Sequence, residues 1–223
     1  MSGRSWAPVL LLALAAAGCG GGGDDEASAT TTTATTATES GCRQVSQPPP
    51  KNAGRRRAPT KRLNARTRYR LTFRTSCGSF TVTLHQRSAP RTTASLVALT
   101  RAQFFNRTVF HRIVPGFVIQ GGDPTGTGMG GPGYKTVDRP ARTTRYARGV
   151  VAMAKTATEP AGTSGSQFFV VTAEVAQLPP DYALVGRVTA GLEVVQRIGR
   201  LGDPSTEQPL QPVVVERVTV ATS

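Results

Sequence analysis

Val109-Phe110-His111-Arg112-Ile113-Val114-Pro115-Gly116-Phe117-Val118-Ile119-Gln120-Gly121-Gly122-Asp123 is the stretch that decides how this chain reads. Apolar residues flank Pro115-Gly116, a pair suited to a tight turn. The run therefore predicts a strand, a turn and a second strand folded back on the first. It carries one arginine, two phenylalanines and a glutamine. A guanidinium beside apolar side chains and an amide suits a pocket for a flat, neutral group that becomes polarised.

A second segment is Gly165-Ser166-Gln167-Phe168-Phe169-Val170. The two segments, in this order, resemble the FHR-x-x-PGF-x-x-QGGD and GSQFF motifs of the cyclophilins, the prolyl peptide-bond isomerases. The resemblance extends over about residues 69–220. It implies a mainly β fold: a closed eight-stranded antiparallel barrel capped by two α-helices, one over each end. It also implies peptidyl-prolyl cis-trans isomerase activity without metal or cofactor, on proline-containing polypeptides.

The local patterns point to the same architecture. Tyr69, Leu71 and Phe73 alternate with Arg70, Thr72 and Arg74, the mark of a half-buried strand. Cys77-Gly78 makes a turn, and Phe80, Val82 and Leu84 continue a hairpin. Ser88-Ala89-Pro90 opens a helix, with proline in its first turn and Ser88 or a neighbour as cap. Residues 191–200 form a second helix, with Leu192, Val195 and Ile198 at three-residue steps. Residues 213–220 close the chain as a strand. Many short strands with two helices predict a barrel with helical caps.

The 223 residues suffice for one domain plus extensions. Hydrophobic residues make up 38%, and the N-terminal third is poor in them. The formal charge is +14, from 27 Lys plus Arg against 13 Asp plus Glu. Such an excess permits polyanionic partners. No interleaving of aromatic and basic residues marks a nucleic-acid platform, so it reads as a solvated arginine-rich surface. Nothing demands more than a monomer.

Residues 1–18 read as a signal peptide, with Arg4 in the n-region and Val9, Leu10, Leu11 and Leu12 opening the apolar h-region. Ala16-Ala17-Gly18-Cys19 resembles the lipobox of bacterial lipoproteins, with Ala16 where leucine is usual. That resemblance implies a lipid at Cys19 and an exported protein anchored on the extracytoplasmic face of the membrane. An ordinary signal peptide is the alternative. Export makes Cys42 and Cys77 a disulfide candidate pair; two free thiols are the other reading.

Residues 19–66 read as a linker. The stretch 20–41 is rich in Gly, Asp, Ala, Thr and Ser and predicts a flexible tether. The stretch 43–66 is basic and proline-rich, extended and partly docked on the domain. It serves an anionic membrane face, at about 1 kcal/mol per nearby cation, or solubility alone. The isomerase-like domain is 67–223.

Rotation about a peptide bond meets a barrier of about 18–20 kcal/mol because resonance is lost. As a prolyl bond twists, its nitrogen gains a lone pair. A donor aimed there binds the twisted state better than the planar one, which is catalysis by differential binding. Arg112 suits this task through its permanent charge and rigid fork, and lysine is a poorer replacement. The cyclophilin resemblance implies that Gln120 orients Arg112 and binds substrate backbone. It implies that Phe117, Val118, Phe169 and Leu178 line a proline pocket, with Tyr182 on its rim. It places Ala154 and Lys155 where backbone pairs with the peptide, and Gln167 beside that groove. Gln177 stands where well-known members carry an aromatic, which implies weak cyclosporin binding.

Other chemistries lack their residues. Two distant histidines make no metal site. Residues 121–133 are glycine-rich but lack the Gly-Lys-Ser/Thr ending of a phosphate cradle. No Gly-x-Ser-x-Gly turn supports a serine triad. Phe110 and Phe168 read as core, His111 as a buried hydrogen-bonded residue and His85 as surface. The rival function is a non-catalytic module or chaperone that holds proline segments in the same groove. A third reading makes the basic linker the functional part.

Overall fold

In a computed structural model, residues 41–223 are described. The signal peptide 1–18, Cys19 and the tether to residue 40 lie outside them. The hairpin forms as the alternation requires: β1 (Tyr69–Thr75) buries Tyr69, Leu71 and Phe73, and β2 (Gly78–Leu84) buries Phe80, Val82 and Leu84. Helix α1 (Pro90–Arg101) follows. Then come β3 (Thr108–Val109), β4 (Arg112–Val114) and β5 (Val118–Gly121). Short strands continue as β6 (Thr136–Val137), β7 (Tyr146–Ala147), β8 (Val150–Met153), β9 (Thr163–Ser164), β10 (Phe168–Val171) and β11 (Val175–Ala176). The chain ends with β12 (Leu184–Ala190), α2 (Leu192–Gly199) and β13 (Val214–Thr222).

The main sheet has nine strands in the order β3-β13-β1-β2-β12-β8-β10-β5-β4, and β6/β9 and β7/β11 form two small ladders. The count of eight expected from the resemblance is therefore corrected to nine. The sheet curls. Phe73 on β1 and Phe168 on β10 lie 5.3 Å apart between ring centroids, although three strands separate them in the sheet. Phe80, Phe105 and Phe110 join the same aromatic core. Hydrogen bonding among the described residues does not zip β4 to β3 into a closed barrel. Instead Ile113 N donates to Glu207 O at 2.8 Å, so a loop covers the free edge of β4.

Helix α1 packs on β13 and β6, and α2 on β2, β4 and β5. Neither Ser88 nor its neighbour Ala89 caps α1 with a side chain. The backbone N–H groups of Ser88 and Ala89 both bond to His85 O, which makes a turn there. The cap comes from far away: Asp138 Oδ2 accepts from Arg91 N at 2.9 Å and Thr92 N at 2.7 Å. A carboxylate at that end also complements the helix dipole.

Residues 42–66 contain no helix and only a bridge at Arg43. They are nevertheless docked at several points. Cys42 is buried and bonded to Cys77, whose Cα lies 4.1 Å away. Arg43 N donates to Ser76 O, and Ala53 and Leu63 pack against the main core.

Candidate functional site

Strand register builds the site. Arg112 on β4 pairs with Gln120 on β5, Gln120 with Phe169 on β10, and Phe169 with Ala152 on β8. Residues paired across antiparallel strands share a face. Ile113, Ile119, Phe168, Val170 and Met153 alternate to the other side and fill the main core. The site face has its own apolar cluster, with Val118, Phe169, Ala152 and Tyr146 buried and Phe117, Ala154, Leu178 and Tyr182 packed on them half-exposed. The turn between β4 and β5 permits this pairing: Phe117 N donates to Val114 O at 3.0 Å, and Gly116 takes φ 70°.

One side of this cluster is aromatic. Phe169 meets Tyr182 nearly edge-on at 5.5 Å, and Tyr146 meets both rings. The Tyr146 hydroxyl donates to Tyr182 O at 2.7 Å and accepts from Tyr182 N at 3.0 Å. Burial pushes the Tyr146 pKa up to about 12. Lys155 Nζ lies 5.6 Å from the Tyr182 ring centroid, a cation–π contact.

The polar side is a chain of side-chain amides. Arg112 Nη1 points at Gln120 Oε1 at 3.5 Å. Gln120 Nε2 donates to Gln167 Oε1 at 3.1 Å, and Gln167 Nε2 donates to the carbonyls of Gly128 and Gly130 at 2.8 and 3.0 Å. The other side of the Arg112 fork is engaged as well: its Nε donates to Glu207 Oε2 at 2.6 Å. Ala154 N donates to Gln167 O at 2.9 Å, so that amide is committed within the protein.

A cavity of about 510 Å³ adjoins this chain, lined by Gln120, residues 128–135, residues 154–156, Glu159 and residues 165–167. Met129, 89% exposed, stands on its rim. Its glycine-rich wall turns around Asp123, which is fully buried. Asp123 accepts from Thr125 N, Gly128 N and Gly130 N and from the Thr125 hydroxyl. Burial alone would raise its pKa, but these hydrogen bonds together hold it below the ordinary carboxylate value. Gly122 admits the loop: an added Cβ would sit 2.4 Å from Ser166 O.

His111 is half-buried. Its Nε2 is 3.5 Å from Gln120 Nε2, and its buried Nδ1 has no hydrogen-bond partner among the described residues. The expected well-bonded histidine is thus only partly satisfied. Burial lowers its pKa and Arg112 lowers it further, while Asp123 pulls the other way. His85 is exposed, and Phe110 and Phe168 are buried in the core.

The family model for cyclophilin type peptidyl-prolyl cis-trans isomerase/CLD matches residues 70–220. The chain belongs to the cyclophilin-type peptidyl-prolyl cis-trans isomerases. This cyclophilin is 37% identical over 154 residues to peptidyl-prolyl cis-trans isomerase-like 1 of Emericella nidulans, covering 67% of this chain and 93% of that one. It is 33% identical over 168 residues to a probable peptidyl-prolyl cis-trans isomerase A of Mycobacterium bovis, covering 67% and 91%. Among solved structures, a cyclophilin of Cryptosporidium parvum determined with the dipeptide Ala-Pro superposes with a TM-score of 0.63 at 28% identity. The match covers 69% of this chain and 99% of that one. The chain is an enzyme of this class, and the family model covers residues 70–220.

Three parts of this cyclophilin's site had no sequence signal of their own. Glu207 reaches Arg112 from 95 positions away. Tyr146 braces Tyr182 from 36 positions away. Asp123 belongs to the opening motif, but nothing in that motif tells that its carboxylate folds the following loop.

Proposed function

We propose that this cyclophilin accelerates X-Pro isomerisation in proteins outside the bacterial cytoplasm, with Arg112 stabilising the twisted imide. The cross-strand row carries this reading. It puts Arg112 and Gln120 on the sheet face that carries the apolar cluster of Phe117, Val118, Phe169, Leu178 and Tyr182. In this reading a prolyl ring on that cluster brings its nitrogen toward the guanidinium. Gln120 holds the fork, and the Lys155 amide with the Ala154 carbonyl pairs with the peptide backbone. Binding of proline peptides is supported by the Ala-Pro dipeptide present with the Cryptosporidium relative.

Export rests on the apolar run before Cys19, and lipid attachment on the lipobox resemblance. Cys19→Ser is expected to shift the protein from the detergent phase to the aqueous phase of a Triton X-114 separation. The protein acts as a monomer, and Gln177 makes it a weak cyclosporin binder.

The deciding experiment is cis/trans exchange in an Ala-Pro peptide, followed by NMR with the full chain and its Arg112→Ala variant. Fast exchange that collapses in a folded variant supports both the activity outside the relatives and the role of the arginine. Binding without acceleration would leave the non-catalytic binding module. Acceleration that survives Arg112→Ala would remove the arginine from the mechanism.

A further inference from the structure

We infer that residues 50–56, ahead of the family domain, clamp the glycine-rich wall of the cavity and make the docked arm a specificity element of the enzyme. The inference rests on the isomerase reading above. The family match begins at residue 70, so the arm lies outside the matched domain.

Two backbone bonds fasten the arm to the wall at its two ends. Lys51 N donates to Pro124 O at 2.9 Å, and Arg56 N donates to Pro132 O at 3.0 Å. An added Cβ on Gly133 would lie 3.1 Å from Arg55 Cα, so arm and wall are in close contact. The arm is itself anchored beyond the end of α1. The Lys51 ammonium donates to Phe104 O and Asn106 O, both at 2.7 Å, and the Arg56 guanidinium sits 5.3 Å from the Phe104 ring centroid. Two carbonyls on one ammonium make a fixed charge-assisted anchor.

The bracketed segment is the wall that faces the cavity. Glycines impose little conformational restraint, so beyond the Asp123 carboxylate at its base such a wall depends on contacts from either side. From inside, Gln167 takes the carbonyls of Gly128 and Gly130. From outside, the arm holds Pro124 and Pro132. The cavity borders Gln120 and Ala154, so a side chain flanking the substrate proline is what fills it. Loss of the arm then widens or softens that space without touching Arg112.

The test compares the full chain with Lys51→Met/Arg56→Ala, Lys51→Met and Lys51→Arg. Steady-state parameters are taken on X-Pro-X peptides carrying either alanine or a large side chain at each flank. NMR of the backbone amide at position 56 reports whether the arm is released, and circular dichroism reports the fold. The double variant is expected to raise KM about fivefold for peptides with a large flanking residue, leaving kcat unchanged and Ala-flanked peptides within about twofold. Lys51→Arg keeps a cation for the two carbonyls and retains the wild-type profile. A released arm with an unchanged profile overturns the inference. So does an equal loss of kcat on every peptide, or a backbone amide at position 56 that stays protected in the double variant. If the wild type turns over no peptide, the isomerase reading falls instead, and peptide affinities from titration carry the same comparison.

Discussion

Glu207 grips β4 twice: its carboxylate accepts from Arg112 Nε at 2.6 Å, and its carbonyl accepts from Ile113 N at 2.8 Å. Glu207 adopts φ 58°, a left-handed conformation that costs a non-glycine residue about 1 kcal/mol or more. Its own N–H bonds to Asp203 O, within a loop whose turn is held by the Asp203 carboxylate. The loop thus sets both the strand and the fork, directing the Nη groups toward Gln120.

Glu207→Ala is therefore expected to lower kcat about five- to tenfold with little change in KM. Glu207→Gln keeps an acceptor for Nε and loses less. The pair is part-exposed, so the stability change stays within about 1 kcal/mol. NMR exchange and a urea titration on the same samples check this. An unchanged kcat in Glu207→Ala would show that Arg112 needs no such support.

Tyr146→Phe removes the hydroxyl that bonds both backbone groups of Tyr182. Those groups then lose their partner in a largely apolar setting. The expected cost is about 1–3 kcal/mol, with KM raised because the Tyr182 rim loosens. Urea midpoints and the KM of an Ala-Pro peptide measure the two effects; a rise in neither would mean that the rim holds itself.

The Cys42–Cys77 bond closes a loop with a sequence separation of 35. Cys42→Ser/Cys77→Ser is expected to cost about 3–4 kcal/mol by the loop-entropy argument. It also frees the start of the arm that reaches Pro124 and Pro132. Guanidinium melts of the wild type with and without reductant, and of the variant, provide the check. Coincident curves would contradict it.

Acid works against the site through two groups. The Asp123 pKa is lowered in the fold from 3.8, so the stability it supplies is present above that value and is lost as pH falls through the folded pKa. The His111 pKa is lowered from 6.5, so the unfolded chain takes up its proton first, and stability drops as pH falls below 6.5. His85, though exposed, is shifted in the same direction by partial loss of solvent around its ring and by Arg187. Melting temperatures are expected to fall between pH 7.5 and 5.5, less steeply in His111→Gln. An equal slope in that variant would exclude His111 as a contributor.

The strands around the opening motif, the hairpin of β1 and β2, both helices and the coming together of Arg112, Gln120, Phe117, Val118 and Phe169 on one face were legible in the chain. Alternation, turn residues and two long motifs carry that information locally, because side-chain direction in a strand depends only on parity and a tight turn only on a few neighbours. The strand count, the cap of α1, the Arg112–Glu207 pair, the Tyr146 brace and the grip of the arm on the glycine-rich wall were decided by the tertiary structure. Each of these joins groups far apart in sequence, and each depends on where curling of the sheet brings a loop. Asp138 shows the difference: the sequence placed a cap beside Pro90, where Ser88 stands, but the fold delivers a carboxylate from 46 residues beyond Thr92 and leaves the local hydroxyl out of the cap. A hydrogen-bond donor takes whichever acceptor the packed chain sets within reach, and no local pattern encodes that distance.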